Sequence, residues 1–459
     1  MIAVDHQESA TRSHAGPHNG SVDSSDRSQL ASIVRQAVRS QPIWDVHTHL
    51  YPPSFGTPLA GSSASADPKG LMLWGIDELL TYHYLVAEVF RVVPARRLAY
   101  HDFWRMPKSV QADHIWKHLF LERSPISEAC RGVLTSLERL GLDVGARSLD
   151  SYRRWFAKQN PDRHIDRVME LAGVSRITMT NAVFDDAERL RWLENPRVGD
   201  DPRFAGVLRF DAILRDWPVA AARLTRCGYV VGREFNADSI EPCKNFLRDW
   251  IDRVGAIYCA VSLPPEFRYE GPSDRSTSAA VLRSVVLPVL AERDLPLAMM
   301  IGAQLRVNPA LEDGGDMVGS ADVASVVRLC ADFPDNRFLC TMLARENQHE
   351  LAVAARKFGN LMVFGCWWFL NNPSLIGEIT RMRVELLGLS FIPQHSDARV
   401  LEQLIYKWDH SRTVIEQVLV EKYLDLAATA WRPAASEIQR DVRQLLHGNL
   451  EDFLGASNQ

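Results

Sequence analysis

Short apolar runs recur along this chain at residues 43–46, 176–180, 205–210, 256–261, 297–301, 337–341, 361–366 and 390–393. Each is brief and continuously apolar, the pattern of a strand covered by helices on both faces. From the second run onward, a segment of helical periodicity separates each strand from the next. Eight such units favour a closed barrel over an open doubly wound sheet. No glycine-rich nucleotide signature follows the first run, which removes the main reason to prefer the open sheet. The pattern therefore predicts an α/β fold, a (β/α)8 TIM-type barrel.

Between the first and second strands the periodicity is helical, at 71–90, 95–104, 110–122, 126–140 and 148–160. We read about 71–170 as a helical insertion after the first strand. Residues 53–70, rich in Pro, Gly, Ser and Ala, form a long loop where barrel loops line active sites, either a lid or a poorly ordered stretch. Upstream, Leu30, Ile33, Val34 and Val38 fit a helix over 28–40 that leads into the first strand. Residues 1–28 have almost nothing to bury and read as a mobile tail, and 29–459 as a single barrel domain. From Val400 onward the pattern is helical, with a break at Trp431-Arg432-Pro433.

Composition narrows the function classes. The 459 residues exceed the roughly 250 of a minimal barrel, leaving room for that insertion. A net charge of −5 argues against a nucleic-acid or anionic-membrane binder, both of which favour basic patches. No apolar run approaches the roughly twenty residues of a membrane span. Seven cysteines at irregular spacing do not form a disulfide framework, and several read as small core residues. The first residues lack the layout of a secretory signal, so a reducing cytoplasm is the expected location.

The chemistry gathers at two strand ends. Ile43-Trp44-Asp45-Val46 runs into His47-Thr48-His49 and stops at Pro52-Pro53. Side chains two apart on a strand share a face, so both imidazoles can reach one ion, and two neutral nitrogens suit zinc or a similar divalent metal. Far downstream, Phe391-Ile392-Pro393 leads to Gln394-His395-Ser396-Asp397-Ala398-Arg399. In a parallel barrel the first and last strands are neighbours, which would bring Asp397 against His47 and His49. Two histidines and one carboxylate leave coordination positions open, a catalytic stoichiometry. The competing reading makes Asp397 a helix cap or a partner of Arg399. Asn181, Ser262 and Met300 at the middle strand ends do not supply a second metal, so one divalent ion per chain is expected. His6, His14 and His18 are dispersed in the tail and read as bystanders.

At these positions the chain resembles the uronate isomerases, a branch of the metal-dependent amidohydrolase superfamily. His47/His49 stand at the family's H-x-H, Tyr82-His83-Tyr84 resembles its D-H-Y, and Trp116 to Leu121 its W-T-H-L-E-L. Leu208-Arg209-Phe210-Asp211 is similar to its R-P-D strand end, Ile301-Gly302-Ala303 to its I-G-A, and Ala344-Arg345-Glu346-Asn347 to its P-R-D-N. Gly365-Cys366-Trp367-Trp368-Phe369-Leu370-Asn371 and Ser396-Asp397-Ala398-Arg399, the family's T-D-S-R, complete a collinear series. Departures accompany it. Met300 replaces a histidine, Leu305-Arg306-Val307-Asn308-Pro309 replaces R-N-N-N-T-R, and the D-H-G element is lost near Ala260 to Leu263. Lys407-Trp408-Asp409-His410-Ser411-Arg412 replaces R-H-E-Y-F-R-R.

The resemblance implies a distorted barrel and aldose–ketose interconversion of a uronic acid or related sugar acid, by proton transfer through an enediolate. It implies Asp397 as base, Tyr84 as second proton carrier and His83 as a group orienting the sugar. Arg209 and Arg399 are candidates for gripping the substrate carboxylate, with Arg345 a third, each alternatively a rim salt bridge. Trp367 and Trp368 are candidate walls, of which at most one faces substrate if the strand persists. His395 is a candidate stand-in for the missing histidine. The departures leave hydrolysis or decarboxylation of another small carboxylate open, as well as a barrel that binds an acidic ligand without turning it over. They also point to a modified or less polar acid in a pocket near Met300, Trp367 and Trp408. A small acidic substrate and a homo-oligomer are expected, with neither nucleic acid nor membrane as partner.

Overall fold

The computed structural model describes residues 24–59, 67, 69–429 and 431–455. The expected tail up to residue 23 lies outside them, and the first helix, Ser24–Ser40, starts before the predicted 28. Strands follow in chain order as β1 (Ile43–Thr48), β2 (Val174–Met179), β3 (Phe204–Arg209), β4 (Ala256–Leu263) and β5 (Leu297–Ile301). A short antiparallel hairpin, β6 (Ala303–Gln304) with β7 (Met317–Val318), then precedes β8 (Phe338–Met342) and β9 (Leu361–Val363). The main sheet is parallel in the order β1-β2-β3-β4-β5-β8-β9.

The eighth apolar run, 390–393, forms no full strand. It contributes a bridge between Phe364 and Ile392. Five residues on, the same segment meets β1, where Asp397 N donates to His47 O at 3.1 Å and His49 N to Ala398 O at 2.7 Å. Those bonds close the curled sheet and make the barrel distorted. Its interior holds Trp44, Val46, Ala205, Val207, Tyr258, Ala260, Ala298, Met300, Leu339 and Ile392. The alanines leave room for Tyr258 to cross the barrel and donate its hydroxyl to Val46 O. His447 packs at 5.6 Å on Trp44, and Leu450 and Phe453 join the same cluster, so the last helical turns plug the amino end. The chemistry lies at the opposite, carboxyl end, as in other barrels.

Helices from Ile76–Leu80 to Pro161–Ala172 fill the stretch between β1 and β2. The periodicity predicts one helix over 71–90, but the structure breaks it into Ile76–Leu80 and His83–Val92, with Tyr82 extended between them. That break puts His83 and Tyr84 at a helix start. A buried carboxylate secures the insertion against the active-site segment: Glu402 accepts from Gly75 N at 3.0 Å and contacts His164 Nε2 at 2.6 Å. The hairpin, which no sequence pattern announces, is tied to the insertion through the Trp104 indole, which donates to Ala310 O at 2.9 Å. Among the described residues no helix is long and apolar enough to cross a membrane.

Candidate active site

The end of β1 is irregular, and its register on β2 slips between Asp45 and Thr48. Asp45, fully buried, accepts from Ser396 N at 3.1 Å and from the Trp408 indole at 2.8 Å. Burial pushes its carboxyl up and these donors only partly offset that. Asp45 thereby ties the first strand to the segment carrying Asp397, and Trp408 serves this anchor instead of lining the cavity.

His47 Nε2 and His49 Nε2 stand 3.4 and 3.3 Å from Asp397 Oδ1. One ligand atom from each of the three residues lies within 4.8 Å of the others. The tautomer of His47 follows from its neighbour. Thr180 Oγ1 donates to Thr48 O at 2.8 Å, so at 3.2 Å from His47 Nδ1 it can only accept. Nδ1 therefore carries a proton, and in the neutral ring that leaves Nε2 a lone pair. His47 Nε2 and Asp397 Oδ1 are sealed from solvent with no hydrogen-bond partner. Two lone-pair atoms facing each other without a proton between them fit a cation, and these three groups could hold a metal ion. Burial, aided by the Arg399 charge, lowers the His49 imidazole to about 3, keeping it neutral as a ligand must be.

Asp397 sits at a left-handed φ of 51°, a conformation costing on the order of 1–3 kcal/mol for a side-chain-bearing residue. Buried donors hold it there. Lys407 Nζ donates to Ser396 O at 2.7 Å, and the Asn371 amide to Ser396 O at 3.1 Å. Burial brings the Lys407 ammonium down to about 8.

A cavity of about 80 Å³ opens above the cluster, walled by Arg209, Arg399, Met300, Trp367 and Trp368. Arg209 already pairs with Asp211 at 2.7 Å and donates to Ser262 Oγ at 3.0 Å. Arg399 contacts Asp313 of the hairpin segment at 3.2 Å. Both tryptophans line the cavity: β9 stops at Val363, so the alternation that would have turned one of them away does not apply. The rings of His83 and Tyr84 meet edge to face at 4.6 Å, neither residue itself lining the cavity, and the Trp368 indole donates to His83 Nε2 at 3.2 Å. Burial drives the His83 imidazole well below its ordinary value and the Tyr84 phenol well above. The Tyr84 hydroxyl is buried without a partner.

Two candidates lie elsewhere. Arg345 is exposed on the rim in a two-pronged pair with Glu378, at 2.9 and 3.0 Å, which is its salt-bridge alternative. His395 is buried behind His47, ring centroids 5.2 Å apart, and does not border the cavity. It fills space left by Gly365, where a Cβ would fall 1.9 Å from its ring. Sequence reasoning missed Arg215 and Asp316, which also line the cavity. It missed the role of Thr180 too, although a polar residue ending the second apolar run was a usable signal.

No protein-family model and no curated protein matches the chain. Solved structures do. A uronate isomerase from Bacillus halodurans C-125 is 50% identical with a TM-score of 0.87, covering 95% of this chain and 98% of that one. A uronate isomerase from Thermotoga maritima matches at 14% identity, with a TM-score of 0.73 over 93% of this chain and 97% of that one. A glucuronate isomerase from Caulobacter crescentus matches at 16% identity, with a TM-score of 0.72 over 94% and 95%. The last two share the fold, and the first carries identity across nearly the whole chain. This chain belongs to the uronate isomerase family.

Proposed function

We propose that this protein is a metal-dependent isomerase interconverting the aldose and ketose forms of a uronic acid. The observation that carries the reading is the convergence of His47, His49 and Asp397 at the floor of a cavity walled by Arg209 and Arg399. When bound, a divalent ion, which we take to be zinc, supplies Lewis-acid polarisation of the substrate's carbonyl and hydroxyl oxygens. Asp397, ionised and buried, is the base that takes the proton beside the carbonyl. Tyr84, kept as a neutral phenol, holds a proton ready for the neighbouring carbon or oxygen. Arg399, whose contact with Asp313 is exposed, is free to exchange that partner for a substrate carboxylate. The departures from the family motifs point to a less polar acid, but the cavity wall keeps Arg215, Ser262 and Asp316 as polar groups. Their presence favours an ordinary hydroxylated uronate.

Proton NMR of metal-replete protein with glucuronate or galacturonate in deuterated water tests this. Deuterium entering beside the carbonyl, with ketose appearing, is expected. A released fragment or carbon dioxide would replace isomerisation by hydrolysis or decarboxylation. Tight binding without any change would make the protein a binding barrel.

A further inference from the structure

His83 has two ring nitrogens with different surroundings. At Nε2 stands the Trp368 indole nitrogen, 3.2 Å away. An indole N–H only donates, so His83 Nε2 must present its lone pair. A neutral imidazole has one N–H, which then falls on Nδ1. No described residue bonds Nδ1, and it is not among the sealed unpartnered atoms, so it keeps accessible surface while Nε2 is occupied. The ring is clamped in this orientation by Tyr82 at 4.0 Å, Tyr84 at 4.6 Å and Trp368 at 5.6 Å between centroids. The burial that holds the imidazole well below its ordinary value, with Arg399 and Lys407 adding to it, keeps the ring neutral.

The indole is itself held with unusual care. Trp368 adopts a left-handed φ of 47°, an outlier for so bulky a residue. The turn before it is fixed by the buried Arg383, which donates to Gly365 O at 2.8 Å. Trp368 also walls the cavity, so one side chain both borders the substrate space and sets the proton of the histidine next to it.

We propose that Trp368 is a positioning residue that fixes His83 as the Nδ1–H tautomer, so that His83 meets the substrate as a hydrogen-bond donor and never as a base. This rests on the isomerase reading only for what the donor meets. It assigns proton removal to Asp397 and leaves His83 to hold a sugar oxygen in place.

Nitrogen-15 NMR of histidine-labelled, zinc-loaded protein tests it, with the His83 signals identified by their loss in His83→Gln. Wild type should show a protonated Nδ1 and a bare Nε2. Trp368→Phe, which keeps a ring but removes the N–H, should give a mixture of tautomers. In uronate turnover it should lower kcat about tenfold, the worth of one hydrogen bond, with KM little changed. An asparagine amide nitrogen falls near the Nδ1 position and a glutamine one near Nε2, so His83→Asn should retain more activity than His83→Gln. A protonated Nε2 in wild type overturns the proposal, as does an unchanged tautomer in Trp368→Phe or a His83→Gln at least as active as His83→Asn. If wild type turns over no uronate, the isomerase reading fails while the NMR result still decides the tautomer.

Discussion

Thr180→Val separates the support of the metal cluster from the support of the barrel. The hydroxyl makes two buried bonds, to Thr48 O at 2.8 Å and to His47 Nδ1 at 3.2 Å. Valine fills the volume but offers neither. Each bond is worth about 0.5–1.5 kcal/mol, and the histidine N–H left without a partner adds to the cost, so metal-free protein should lose about 2–3 kcal/mol. The second effect falls on the metal. With no acceptor at Nδ1, the lone-pair tautomer of Nε2 is no longer enforced, and loss of such a supporting contact weakens metal binding about 10–100-fold, or about 1.4–2.7 kcal/mol. Chelator competition measures the second quantity and urea unfolding of stripped protein the first. Thr178→Val is the control. Thr178, two residues earlier and inside β2, accepts from the Trp44 indole at 3.0 Å and bonds none of the three cluster residues through its side chain. It should cost stability without changing metal affinity. Wild-type metal affinity in Thr180→Val, or equal weakening in Thr178→Val, would refute the assignment.

Elemental analysis should find one divalent ion per chain in wild type and none in a His47→Ala/His49→Ala double variant. Two equivalents, or retention in the double variant, would remove these residues as the ligands. Arg399→Met should lower kcat/KM for a uronate about a hundredfold while metal content and melting temperature hold, because its contact with Asp313 is exposed and worth little to the fold. Arg209→Met should in addition melt earlier, since Asp211 loses the partner at 2.7 Å; identical melting in both variants contradicts this difference. Burial lowers Lys407 from its ordinary 10.5 to about 8, so between those values the unfolded chain binds the extra proton and stability rises with pH. Melting curves across that window should climb more steeply for wild type than for Lys407→Met, and parallel curves would show that Lys407 does not titrate there.

The apolar runs are a local property, and so they were legible: a strand buried on both faces must be apolar along its length, whatever it packs against. Seven of the eight runs became strands of the main sheet within a few residues of their predicted ends. The run at 390–393 did not, because its pairing with β1 begins only at Asp397, where a left-handed residue ends regular geometry. The two histidines were legible from their spacing, and Asp397 from the rule that a barrel's last strand meets its first. What each side chain finds on arrival was not. Arg209 meets an acid two positions along the chain, but Arg345 meets Glu378 across 33 residues and so leaves the site for the rim. Thr180 reaches His47 across 133 residues, and Trp368 reaches His83 across 285. Those two contacts decide which nitrogens carry protons. A sequence states which groups can donate or accept, but only packing determines which of them face each other, and protonation follows from that facing.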